Sequence, residues 1–347
     1  MTDSEVAPLS FLALDRNGRL LSGKGLDHLR TRLASASPPI SDTFVFCSGG
    51  IEDAAEARAW AARFFGVLQR SLELLGDRVT PLRIALHWPS KPEAAHAPAE
   101  LAEWEIALGP EEEAELDALT ERRARARGNW AGAVAAWLTK KRAGEVGERF
   151  GREYLAPLWA DCLPSGRRRL HLIGHSFGAR LLTSAVVGGV RPHSLTLLQA
   201  PFSAFAFAGE VPGSGLPGFY NRILAARLAG RIVVLRSAHD GALTALYPPL
   251  TGASQADHPG RLGRTRQVVA TSLMGVAGAR GVSAPEVEIR EAQRLGFPLQ
   301  PVVNVDASSL IRAHDDILHP EVATILLMAA ALLVGGPDGP RPRPESS

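Results

Sequence analysis

Gly174-His175-Ser176-Phe177-Gly178 constrains this chain more than any other stretch. A short apolar run, Leu170–Ile173, leads into it, and an Ala/Leu/Val-rich run, Ala179–Val187, leads out. The pattern reads as strand, sharp turn and helix, with a serine at the apex. Glycines two residues before and two after the serine remove Cβ atoms that would clash as strand and helix close on each other. Such a turn puts Ser176 in a strained backbone conformation. It lifts the hydroxyl above the sheet, at a helix N-terminus whose dipole favours developing negative charge. A glycine-rich turn that only joins strand to helix would give the same pentapeptide, so the rest of the chain has to supply an acid and a histidine.

The elements around this turn alternate. Strands are predicted at Thr43–Cys47, Leu82–His87, Ser194–Leu198, Arg231–Arg236 and Pro301–Val305, and helices at Leu26–Ala34, Glu52–Leu75, Asn221–Leu228 and Glu321–Val334. Strands alternating with helices predict an α/β fold with a mainly parallel, doubly wound sheet covered on both faces. Asp15-Arg16-Asn17-Gly18 between Ser10–Leu14 and Arg19–Ser22 predicts an antiparallel hairpin at the start. Lys91–Gly166 is long and helical in composition, with an acidic amphipathic helix at Glu111–Leu119 and two further helices at Trp130–Leu138 and Val146–Trp159. It is too polar to be all core and reads as a helical insertion placed as a cap. The expected organisation is a single domain over 1–334 carrying the insertion 91–166, followed by a disordered Pro/Gly tail at 335–347.

Composition narrows the function classes. A chain of 347 residues, 46% of them hydrophobic, can bury a large core. A formal net charge of +2 gives no global drive toward nucleic acid or an anionic membrane. The arginines in Arg122–Arg127 follow an acidic helix and read as a solvated face or intramolecular ion pairs, with nucleic-acid binding as the weaker reading. Cys47 and Cys162 are isolated, so neither a disulfide framework nor a metal motif is expected, and no metal or cofactor is predicted. The acidic start lacks a signal-peptide pattern, and no apolar run is long enough to span a bilayer. The expected placement is the cytoplasm. Arg far outnumbers Lys, and Ala, Gly and Pro are plentiful, which reads as the coding bias of a GC-rich bacterium.

Serine is a poor nucleophile until a base takes its proton, and the base needs a carboxylate to orient it. In an open α/β sheet these groups gather at the carboxyl ends of the strands. Asp240 stands just after the strand Arg231–Arg236, beside Gly241. The competing reading makes it an N-cap of the following helix; Asp257 and Asp306 are the other candidate acids. Two histidines follow the last strand, His314 and His319. His319 abuts the helix and could belong to its cap, whereas His314 lies in the loop. His175 reads as a packing residue pointing away from the chemistry, and His239 as a structural neighbour of the acid. Gly213-Ser214-Gly215 has no preceding strand and is not a second turn of this type.

Gly-His-Ser-Phe-Gly-Ala-Arg with its flanks resembles the nucleophile elbow of the α/β-hydrolase superfamily, whose members carry their triad in the order Ser, Asp, His. Ala313–Glu321 is similar to a His-x-Asp-Ile loop of bacterial members, which favours His314 over His319. Trp88-Pro89-Ser90 is similar to a group of uncharacterised bacterial hydrolases. The resemblance implies an oxyanion hole built from the backbone N–H of Phe177 and one from Gly49 or Gly50. Many members have His-Gly where this chain has Ser48-Gly49, which removes whatever orientation the histidine lends that loop. The implied activity is that of a carboxylesterase- or lipase-like serine hydrolase acting on a small-molecule acyl substrate. Acyl transfer by the same triad, or a silent hydrolase fold used for binding, are the alternatives. Phe202, Phe205, Phe207 and Phe219 lie in a loop that could offer the site an apolar wall; Trp130, Trp137 and Trp159 read as core before they read as pocket.

Overall fold

The structure is a computed structural model that describes residues 9–95, 97, 110–124, 130–162, 168–226, 228–246, 272–335 and 341–342. Eight parallel strands form one sheet in the order β1-β3-β2-β4-β5-β6-β8-β7. They are β1 Ser10–Ala13, β2 Asp42–Ser48, β3 Pro81–His87, β4 Arg169–His175, β5 Ser194–Leu198, β6 Arg231–Arg236, β7 Glu286–Glu288 and β8 Val302–Asp306. Along the central strands, successive side chains enter different cores. On β2, Val45 and Cys47 join the core under helix Phe177–Val187. Phe44 and Phe46 join the core under helices Ala54–Leu72 and Pro320–Ala329. Both faces are therefore covered, as a parallel sheet requires.

The chain leaves β3, crosses β2 and enters β4. A parallel crossover of that kind needs a helix packed on the sheet. The connection carries helix Trp130–Phe150, which packs along helix Phe177–Val187 and continues through a π-turn at Gly151–Leu155 into Ala156–Cys162. Two separate helices, Trp130–Leu138 and Val146–Trp159, were expected here, and the stretch also holds glycines. Those glycines allow close approach. A Cβ at Gly147 would run into the Leu181 carbonyl oxygen, and one at Gly151 into that of Ala185. Much of the segment expected to be a cap is thus one layer of the core, with Ala143, Val146, Phe150, Leu158 and Trp159 buried there.

The other differences lie at the edges. The predicted hairpin shrinks to one antiparallel bridge, Leu14 with Leu20, because Ser10–Ala13 pairs parallel with β3. Its turn is built as the sequence implies: Asp15 Oδ1 accepts from the amides of Asn17 and Arg19, and Gly18 takes φ 80°. Strand β7 and helix Ile289–Leu295 were not anticipated. Arg341–Pro342, in the tail expected to be disordered, pairs antiparallel with Leu333–Val334. No helix among the described residues is long and apolar enough to cross a membrane. Asp257 and the side chains of Arg122–Arg127, Trp130 and Cys162 lie outside what is described. Cys47 is a buried thiol whose pKa burial pushes up to about 12, which leaves it inert.

Candidate active site

Ser176 occupies the turn between β4 and helix Phe177–Val187 with φ 54° and ψ −134°, a conformation costly for any residue with a Cβ. The flanking glycines make it possible. A Cβ at Gly174 would meet Ala179, and one at Gly178 would meet the Cys47 carbonyl oxygen. Two contacts hold the turn: the Ser176 amide donates to Leu198 O (3.1 Å), and the Ala179 amide to Ser176 O (2.8 Å).

His314 Nε2 lies 2.8 Å from Ser176 Oγ, and His314 Nδ1 lies 2.8 Å from Asp240 Oδ2. Asp240 follows β6, as the sequence placed it, and is wholly buried. It also caps a helix, since its Oδ1 accepts from the Leu243 amide at 3.0 Å. The two readings of this aspartate therefore coexist, one on each oxygen. His319 stands at the cap of helix Pro320–Ala329 and bonds Asp316 (2.8 Å). Asp306 is taken by Arg236 (2.9 Å), and His239 Nε2 accepts from Arg312 (2.9 Å).

His175 departs from its expected role. It is fully buried, yet its Nε2 donates to the backbone carbonyl of His314 (2.9 Å), and its Nδ1 faces Ser48 Oγ (2.9 Å). The tautomer follows from the partners: a carbonyl can only accept, so Nε2 carries the proton and Nδ1 accepts from the serine hydroxyl. Burial, and then the neighbouring His314, push the His175 pKa down to about 4, so it is neutral near pH 7. Ser48, the residue that departs from the hydrolase pattern, thus begins a short relay that holds the backbone of the histidine facing Ser176. Ser48→Ala is expected to leave the fold intact and slow any reaction at Ser176 by about tenfold at most, the size of one neutral hydrogen bond. The rate of Ser176 phosphonylation, read beside a thermal melt, checks this.

The amide of Phe177 begins its helix and has no acceptor in the preceding strand. Gly49 packs so tightly against Phe177 that no side chain fits there. However, the Gly49 amide donates to His175 O (3.0 Å), and the Gly50 amide donates to Ser90 Oγ (2.9 Å). Both glycine amides expected for an oxyanion hole are therefore engaged, and Ser90, from Trp88-Pro89-Ser90, is the partner of the second. A cavity of about 310 Å³ opens beyond that serine, lined by Arg16, Lys91, Glu93, Thr139 and Arg142 among others. Ser176 itself is only 6% exposed.

Two of the four phenylalanines expected to wall the site pack on a buried arginine, and Phe205 and Phe207 are buried. Phe202, Phe219 and Tyr220 surround the Arg180 guanidinium at 5.8, 5.3 and 4.6 Å. Trp137 packs in a small cluster with Val134 and Leu138, and Trp159 in the main core. The acidic helix also differs from expectation, since Glu111, Glu112 and Glu115 point inward and are buried. His175, His314 and Asp315 bring potential metal ligands within 4.8 Å of one another. Both ring nitrogens of each histidine already have hydrogen-bond partners, so a cation there would have to displace the contacts just described. No family model, curated protein or solved structure matches the chain.

Proposed function

We propose that this chain is a serine hydrolase of the α/β-hydrolase fold that cleaves a carboxylic ester or a related acyl bond through an acyl-enzyme. One observation carries the reading: the unbroken hydrogen-bonded series Asp240, His314, Ser176, with 2.8 Å at each link. Its chain order, Ser then Asp then His, is that of the superfamily, and the serine stands on a strained turn at a helix N-terminus.

In this reading Ser176 Oγ attacks the carbonyl carbon while His314 Nε2 takes its proton, and Asp240 holds Nδ1–H and stabilises the cation. The oxyanion settles toward the Phe177 amide. His314 then returns the proton to the leaving alkoxide, and water, deprotonated by the same histidine, hydrolyses the acyl-enzyme. The Gly50 amide serves as second donor once it leaves Ser90 Oγ. That engaged amide is also the one observation favouring the other reading, a silent hydrolase fold used for binding.

A fluorophosphonate probe decides between them. The expected result is one phosphonyl group on the peptide carrying Ser176, and turnover of p-nitrophenyl esters. A folded protein that takes up no probe and turns over neither short nor long esters sinks the hydrolase and leaves the binding module.

A further inference from the structure

Gln199 is the first residue after β5, and two of its features cost stability. It has φ 48° with a full side chain, one of three non-glycine residues with positive φ among the described residues; Ser176 is another. It is wholly buried, and its Oε1 has no hydrogen-bond partner among the described residues. Buried polar atoms are nearly always satisfied, and strained backbones collect at functional sites. Room for the turn is made by Gly275, where a Cβ would lie 2.6 Å from the Gln199 carbonyl carbon.

What the residue achieves is a contact with the acid. Gln199 Nε2 donates to Asp240 Oδ2 at 3.2 Å. The amide can face the carboxylate only this way round, since the opposite flip would set oxygen against oxygen. Asp240 therefore receives three donors: His314 Nδ1 and Gln199 Nε2 on Oδ2, and the Leu243 amide on Oδ1. Without Gln199, the histidine would be the one donor left on Oδ2 among the described residues. We propose that Gln199 is a positioning residue that locks the Asp240 carboxylate in the rotamer that orients His314, its backbone strain and orphaned oxygen being kept for that contact. This rests on the triad reading. Among the described residues, the titratable groups that interact with Asp240 are His314, on the loop after β8, and His175, at the end of β4.

The test is the rate of Ser176 phosphonylation across pH for wild type, Gln199→Met and Gln199→Glu, with a thermal melt of each. Gln199→Met keeps length and removes the donor; its rate should fall about tenfold or more at every pH, the size of one hydrogen bond to a charged group. Gln199→Glu keeps size and makes the contact switchable. Protonated, the introduced carboxyl donates to Oδ2 as the amide does; ionised, it repels Asp240. Its rate relative to wild type should be highest at acid pH and fall as pH rises, a trend that a merely structural role would not produce. If Gln199→Met does not fold, the pH trend of Gln199→Glu decides alone. Rates for both variants that follow the wild type at every pH overturn the inference while leaving the triad standing. A wild type that is not phosphonylated at all overturns the hydrolase reading first, and this inference with it.

Discussion

Ser176→Ala is expected to abolish fluorophosphonate capture and to lower ester turnover by roughly a thousandfold or more. The size follows from the geometry. Oγ is the atom facing His314 Nε2, and the Asp240–His314 pair has no other hydroxyl in its hydrogen bonds. Alanine keeps the Cβ, so the strain at φ 54° is unchanged and the melting temperature should stay put. Ser176→Gly should lose activity equally but melt higher, because glycine relieves the left-handed strain, on the order of 1 kcal/mol. His314→Ala belongs in the same set. Residues that act as a unit lose most of their effect together, so the double replacement with Ser176→Ala should be no slower than either single one. His319→Ala should change the rate by far less, since its ring serves Asp316. Capture that persists in Ser176→Ala, or is lost in His319→Ala and kept in His314→Ala, would remove the assignment.

The parts of this site that the sequence made legible are those written locally. Gly174 and Gly178 are needed where backbones meet, and that need is visible in five residues. The strands β5 and β6 are short apolar runs with clear ends, so Asp240, four residues past β6, could be named as the candidate acid. Chain order left His314 and His319 both open, and the resemblance of Ala313–Glu321 to a His-x-Asp-Ile loop tipped the choice to His314. The other parts depend on what lies across the sheet. Gln199 gives no local signal, because the close approach that its turn needs is met across the chain by Gly275, in helix Met274–Ala277. His175 looked like packing because strand alternation says which way it points and not which carbonyl waits there. Glu111, Glu112 and Glu115 looked solvated because charge on a helix usually faces water. Their partners Arg180, Lys140 and Lys141 come from two other helices. Strand β7, three residues at an edge, is too short to show periodicity.

Those inward glutamates lead to the second large effect: Arg180→Ala is expected to destabilise the fold by about 3–5 kcal/mol, because it strips a buried carboxylate of one of its directly bonded cations and empties the space among three aromatic rings. Arg180 Nη2 bonds Glu112 Oε1 (2.7 Å), while Lys141 holds Oε2 (2.7 Å) and Lys140 pairs with Glu115. Glu111 Oε1 accepts from the Phe219 amide (2.8 Å), tying the same helix to the aromatic loop. Burial pushes the Glu112 pKa up, but Arg180 and Lys141 outweigh it and bring the carboxyl to about 2. A folded-state pKa below the unfolded value stabilises the fold above the unfolded pKa, and that stability is lost as pH falls through the folded one. The fall from 4.5 to about 2 corresponds to about 3 kcal/mol, present at neutral pH and lost between those two values. Arg180→Ala should therefore lower the melting temperature by roughly 5–10 °C at neutral pH and flatten the loss of stability between pH 4.5 and about 2. Arg180→Lys should rescue little, since an ammonium can neither stack among Phe202, Phe219 and Tyr220 nor span to Glu112 as the guanidinium does. Adding Glu112→Gln to Arg180→Ala should recover part of the loss, because the carboxylate left with Lys141 is removed with it. Single effects that merely add in the double variant would mean the pair is not coupled. Arg180 stands one helical turn beyond Ser176, so the same ion pair that holds helix Pro110–Ala124 in place also braces the helix that begins at the Ser176 turn.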